Sequence, residues 1–161
     1  MRFVNRTKYG EVKQIVDRVA EIDELAAELL SEIKFMRVVY IERGTRHLYW
    51  WRGTYYPSKT EIALRFNRDE SVYTVRKFKE NRIWSLEECC VKVLGHELYH
   101  HEEHRRKLNK SQGYWSHKNC DAFGDALWQK YKKTFVDQGE AVKPVRITRL
   151  EEGVASHASR D

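Results

Sequence analysis

Two histidines four residues apart, with a glutamate directly after the first, mark Gly95-His96-Glu97-Leu98-Tyr99-His100 as the segment of this 161-residue chain richest in chemistry. On an α-helix, residues four apart share a face, so His96 and His100 can each give a ring nitrogen to one Zn²⁺. Glu97 then stands beside the position such an ion leaves open. Zinc lowers the pKa of a bound water from about 15.7 toward about 7, and an adjacent carboxylate can take its proton as hydroxide attacks an amide carbonyl. The pattern points to a zinc-dependent hydrolase with Glu97 as general base. His-Glu-x-x-His also arises by chance, so its surroundings must carry the reading.

Those surroundings favour a zinc helix. Ser85-Leu86-Glu87-Glu88 reads as an N-cap followed by a capping-box acid, which predicts a helix from Ser85 through the motif. From Ser85 onward, Gly95 is the only Gly or Pro before Gly113. Leu94 and Leu98 lie about 200° around such a helix from His96, so one face can enter a core while the other holds metal.

A catalytic zinc usually takes three protein ligands. The metzincin pattern needs Gly at position 103 and His at 106, but the chain has Glu103 and Arg106. His104 stands about 12 Å of axial rise from His96, too far to share an ion, and both it and His101 are expected as helix-surface histidines. The better third ligand is His117. A second helix is expected to begin near Ser116, after a turn over residues 109–113. On it His117 could bind zinc while Asp121, one turn on, accepts a hydrogen bond from the far ring nitrogen of a ligand histidine. Cys120, Phe123, Leu127 and Tyr131 supply the apolar stripe that would pack this helix on the first. The competing reading makes His117 a helix-terminal residue and Asp121 a solvated acid.

With these residues the chain resembles the minimal zincin metallopeptidases, in particular the SprT-like proteases and the ImmA/IrrE peptidases, over roughly residues 37–131. SprT-like proteins carry a third His at the start of the next helix, as Trp115-Ser116-His117 would here. ImmA/IrrE proteins use a Glu there, followed by a run that Cys120-Asp121-Ala122-Phe123-Gly124 resembles. The chain stands between the two, and no Cys-x-x-Cys follows to form the zinc ribbon of many SprT-like proteins. The resemblance implies an α+β minimal zincin fold: a long N-terminal helix, a three-stranded sheet with an edge strand bordering the cleft, the zinc helix and the third-ligand helix. It also implies a Zn²⁺ cofactor and a protein or peptide substrate that pairs with the edge strand, here assigned to residues 60–66. On the residues alone that segment is equally an ordinary edge strand. Tyr114 and His104 are the candidate donors to an oxyanion.

The remaining elements follow from periodicity. Val12, Ile15, Val16, Val19, Ile22, Ala26, Leu29, Leu30 and Ile33 recur at helical spacing and predict one long helix over residues 8–33. Strand-like runs at 35–41 and 47–52 flank a hairpin turn at Glu42-Arg43-Gly44-Thr45. Ile62-Ala63-Leu64-Arg65-Phe66 follows a turn at Pro57-Ser58, and residues 72–80 are read as a short helix. Residues 1–135 make one domain. Residues 136–161, with Gly139, Pro144 and Gly153, are expected to form a partly extended or disordered extension.

Composition bounds partners less tightly. A formal charge of +6 and an isoelectric point near 9.2 permit nucleic-acid binding, with Arg105-Arg106-Lys107 and Trp50-Trp51 as candidate contacts. Basic runs are commonly solvated faces, and strand aromatics commonly pack the core. The second functional class is therefore a basic nucleic-acid-associated protein with a structural or vestigial zinc site. Glu97 argues against it, because a structural site needs no carboxylate beside the metal. Cys89, Cys90 and Cys120 are odd in number and lie on expected helices, which fits a reducing compartment. Residues 1–13 lack an apolar signal segment, and no stretch reaches the roughly 20 apolar residues of a membrane span. A cytoplasmic protein without a membrane partner is expected.

Overall fold

The computed structural model describes residues 1–41, 52–66, 74–77, 80–83, 85–107 and 117–142. Its elements run β1 (Arg2–Asn5), α1 (Val12–Ile22), α2 (Glu24–Glu32), β2 (Phe35–Tyr40), β3 (Arg52–Tyr56), β4 (Glu61–Phe66), β5 (Thr74–Lys77), β6 (Glu80–Ile83), α3 (Leu86–Arg105) and α4 (His117–Tyr131). The architecture is α+β. Four strands form one sheet in the order β1-β2-β4-β3, with β1, β2 and β4 parallel and β3 antiparallel to β4; β5 and β6 form a separate two-stranded ladder.

The inward alternation of Met36, Val38, Ile62, Leu64 and Phe66 gives the sheet one apolar face. That face joins Val12, Ile15, Val16 and Val19 of α1, Leu29 and Leu30 of α2, and Leu94 and Leu98 of α3 in a single buried cluster. Leu94 and Leu98 are fully buried, as expected of the helix face opposite His96. Cys89, Cys90 and Cys120 are buried free thiols. No described helix is long and apolar enough to cross a membrane.

Several expectations need correction. The helix expected over residues 8–33 is two helices, because Asp23 is extended (φ −147°, ψ 119°) and caps α2, accepting from the Ala26 N–H at 2.9 Å. The short β1 adds a fourth strand to the expected three, pairing Phe3 with Met36. Residues 72–80, read as a helix, contain β5 and the start of β6. The assigned edge strand, 60–66, is interior: β4 lies between β2 and β3, and its unbroken apolar Ile62-Ala63-Leu64 suits a strand with neighbours on both sides. Among the described strands the edge beside α3 is β3, which turns into β4 through Pro57–Lys59 and a left-handed Thr60. The hairpin at 42–45, the strand at 47–51, Trp50-Trp51, the turn at 109–113 and Tyr114 lie outside the described residues. Of the extension, residues 137–142 turn back onto the domain: the Val142 N–H donates to Glu87 at 2.9 Å, and Arg18 donates to the Glu140 carbonyl at 2.7 Å.

Candidate metal centre

The zinc-motif helix starts as its sequence demands. Ser85 caps α3 by accepting from the Glu88 N–H at 3.1 Å, and Lys92, one turn on, bridges Glu88 and Asp125 of α4 at 3.0 Å each. The two helices meet at a pair of glycines. A Cβ on Gly95 would stand 2.7 Å from the Gly124 Cα, and one on Gly124 would stand 2.4 Å from the Lys92 carbonyl oxygen. Without side chains at this crossing the backbones meet, which brings the first turns of α4 to His96, one residue beyond Gly95.

Three imidazoles converge there. His96 Nε2 lies 3.0 Å from His100 Nε2 and 3.3 Å from His117 Nδ1. Their ring centroids form a triangle with sides of 4.7, 5.2 and 5.3 Å. Nitrogens held tetrahedrally at about 2.05 Å from a zinc ion would lie about 3.3 Å apart, so the donor set fits such an ion. The tautomers fit as well. His96 Nδ1 faces Asp121 Oδ1 at 3.0 Å, and His100 Nδ1 faces Glu103 Oε2 at 3.3 Å. Carboxylates only accept, so both Nδ1 atoms carry the proton and both Nε2 atoms turn lone pairs toward the shared point. Uncharged lone pairs this close repel, and a cation between them removes the repulsion.

Cys120 is a second candidate for the third donor, since its Sγ and ligating atoms of His96 and His100 all lie within 4.8 Å of one another. The geometry favours His117. Cys120 Sγ sits 3.3 Å from His100 Nδ1, the nitrogen on the ring edge away from the convergence. Burial, then the nearby Glu103, Glu97 and Asp121 charges, push its thiol well above the usual range in the metal-free protein.

Glu97 is buried beside the edge strand. Burial raises its carboxyl to about 7, against the lowering effects of the Tyr55 backbone N–H, which donates to it, and of Arg65. A Cβ on Gly53 would fall 2.2 Å from Glu97 Cγ and 2.3 Å from Oε1, so glycine alone lets β3 close over this side chain. Burial, then the charges of His96 and His117, depress His100 to about 4, so near neutral pH it is unprotonated, the form that binds metal.

The other sequence candidates separate cleanly. His104 is exposed and stands outside the three-imidazole cluster, its ring 6.1 Å from that of Tyr55. His101, expected at the surface, is instead buried: Tyr55 and Glu32 hold its two ring nitrogens at 2.8 Å each. Arg105 and Arg106 do not form a free basic patch, since Arg105 pairs with Glu28, Glu32 and Glu102, and Arg106 pairs with Glu102. Sequence reasoning missed Gly53, Tyr55 and the Gly95–Gly124 crossing. A glycine inside Arg52-Gly53-Thr54-Tyr55-Tyr56 was a usable signal, because glycine in a strand interior marks a close approach. No family model matches the chain, and no curated protein or solved structure shows significant similarity to it.

Proposed function

We propose that the protein is a zinc-dependent peptidase of the minimal zincin type, with His96, His100 and His117 holding the ion and Glu97 as general base. The observation that carries this reading is the convergence of three imidazole nitrogens, 3.0 and 3.3 Å apart, one residue from a buried carboxylate. A zinc ion bound there would polarise a scissile carbonyl and acidify a water molecule. The protein's own groups do the rest. Asp121 fixes the His96 tautomer and strengthens that nitrogen as a donor. Glu97 takes the water's proton on its carboxylate and hands it to the departing amine. The Tyr55 N–H orients that carboxylate. As the sheet edge beside α3, β3 replaces residues 60–66 as the strand along which an extended peptide would align.

The order of helices, sheet, zinc helix and third-ligand helix supports the zincin comparison, and His117 in the third position supports its SprT-like branch. The nucleic-acid reading gains nothing from Arg105 and Arg106, whose charges are answered internally. One experiment tests the proposal: metal analysis of chelator-free protein, with cleavage of denatured protein substrates by the parent and by Glu97→Gln. One zinc per chain and cleavage lost only in the variant support it. Absence of zinc both as purified and after titration at neutral pH removes it.

A further inference from the structure

Residues 97 and 101 are four apart on α3 and face the same strand, and both are tied to Tyr55. The Tyr55 backbone N–H donates to the Glu97 carboxylate, while its hydroxyl lies 2.8 Å from His101 Nδ1. The far nitrogen of His101 lies 2.8 Å from a Glu32 oxygen at the end of α2. Glu32 is a carboxylate and accepts, so His101 Nε2 carries the proton, and Nδ1 accepts from the Tyr55 hydroxyl. All three bonding groups are thereby used in one direction: Tyr55 O–H to His101, His101 N–H to Glu32. Arg105 holds Glu32 from the other side at 3.0 Å. The His101 ring is buried, and it packs on the Tyr55 ring with centroids 5.1 Å apart.

An edge strand has a ladder on one side only, so something else must fix its distance from the helix beside it. Gly53 permits the approach but supplies no attraction. Tyr55, two residues along the strand from Gly53, is bonded to α3 at two points: its N–H to Glu97, the residue Gly53 meets, and its hydroxyl to His101, one helical turn on.

We propose that His101 is a positioning residue: with Tyr55 and Glu32 it clamps β3 against α3, so that the Tyr55 N–H holds the Glu97 carboxylate in its working position. This inference rests on the peptidase reading for its catalytic consequence and on the tie itself for its structural one. The clamp makes Glu97 placement depend on α2, an element with no ligand or base of its own.

The test compares Tyr55→Phe, which deletes one oxygen, with His101→Phe, Glu32→Ala and Glu32→Gln. Backbone amide exchange over residues 53–56, zinc content, and kcat and KM are measured for each. Exchange at β3 should accelerate about tenfold or more in Tyr55→Phe, His101→Phe and Glu32→Ala, with β2 and β4 unchanged. Zinc content should hold and kcat should fall about 10- to 100-fold with KM nearly constant, because a misplaced base spoils the chemical step rather than binding. Glu32→Gln keeps an accepting oxygen and should behave as the parent. A double Tyr55→Phe/His101→Phe variant should be no worse than His101→Phe alone, since that change already breaks both bonds of the clamp.

Unchanged exchange at residues 53–56 in Tyr55→Phe overturns the clamp. Accelerated exchange with parental kcat overturns its role in placing Glu97, and lowered thermal stability with parental kcat does the same. A parent protein that cleaves no peptide removes the peptidase reading, and the exchange data then decide the clamp by themselves.

Discussion

Gly53→Ala is the sharpest single perturbation of the site, because it adds one methyl group at a point where its neighbours are known atom by atom. The new Cβ would lie 2.2 Å from Glu97 Cγ, 2.6 Å from Cδ and 2.3 Å from Oε1. Carbon atoms in contact prefer about 3.5–4.0 Å, so the shortfall at Cγ is about 1.3 Å. Cγ is near the root of the side chain, and moving the carboxylate alone does not relieve the clash. Either Glu97 swings about Cα–Cβ and leaves the Tyr55 N–H, or β3 moves outward against its ladder with β4 and its bond to His101. Both shift the carboxylate relative to the imidazoles by about 1 Å or more, a displacement that can cost about 100-fold in rate. The stability effect is smaller. Overpacking costs about 1–3 kcal/mol, offset by the roughly 0.5–1 kcal/mol that alanine gains over glycine within a strand. The expected variant is folded, retains its zinc, melts a few degrees lower and loses about 100-fold in kcat/KM on a denatured protein substrate. Calorimetry, metal analysis and steady-state cleavage measure the three quantities. Activity within threefold of the parent would refute the argument that glycine at 53 is what lets the strand and the base coexist.

Three further outcomes are expected. Glu97→Gln should keep fold and zinc yet lose about 10²- to 10⁴-fold in cleavage, measured on the same substrate. In zinc titrations, His117→Ala should weaken binding most, Asp121→Ala should cost about 10- to 100-fold, and His104→Ala should bind as the parent does; parental affinity in His117→Ala would hand the third position to Cys120. In metal-free protein two groups should oppose each other. Burial depresses His100 to about 4 from 6.5, so its contribution is full above about 6.5 and is lost as pH falls toward 4. Burial raises Glu97 to about 7 from 4.5, so its contribution is full below about 4.5 and is lost as pH rises through 7. Between about 4.5 and 6.5 the slopes offset, so the parent's chemical-denaturation midpoint should be nearly flat there. That of Glu97→Gln should drop steadily on acidification, and a flat profile in the variant would contradict the shifts.

The elements that could be read from the sequence are those whose cause is local. Ser85 caps α3 because a hydroxyl three residues before an N–H is enough to start a helix, and Leu94 and Leu98 fall opposite His96 because the helical period says so. That His117 and Asp121 both reach His96 follows from the same period on α4, which sets residues four apart on one face. Asp23 had a local signal that periodicity hid: Ile22 and Ala26 continue the apolar stripe, yet the Asp23 side chain takes the Ala26 N–H and ends one helix to start another. Strand order had no local signal. β4 is interior because β2 pairs along one side of it and β3 along the other, a choice made by packing across the sheet rather than by residues 61–66 themselves. The edge therefore passed to β3, and with it the glycine on which the site depends.

His100 and His101 show how far adjacent residues on one helix can diverge. A step of about 100° turns one ring toward α4 and the other toward β3 and α2. The carboxylates each ring meets then settle its protonation pattern: Glu103 on Nδ1 leaves His100 Nε2 as a donor atom for metal, while Glu32 on Nε2 makes His101 Nδ1 an acceptor for Tyr55. On the proposed reading the same side chain serves as ligand at 100 and as fastener at 101, distinguished by where an acid stands. Exchanging the acids' roles separates the two functions. Removing the acid beside His100 with Glu103→Ala should act on zinc affinity and leave β3 exchange unchanged, whereas removing the one beside His101 with Glu32→Ala should act on β3 exchange and leave zinc affinity unchanged. Crossed effects of equal size in both assays would mean that α3 responds as one rigid unit and that neither ring has a separate task.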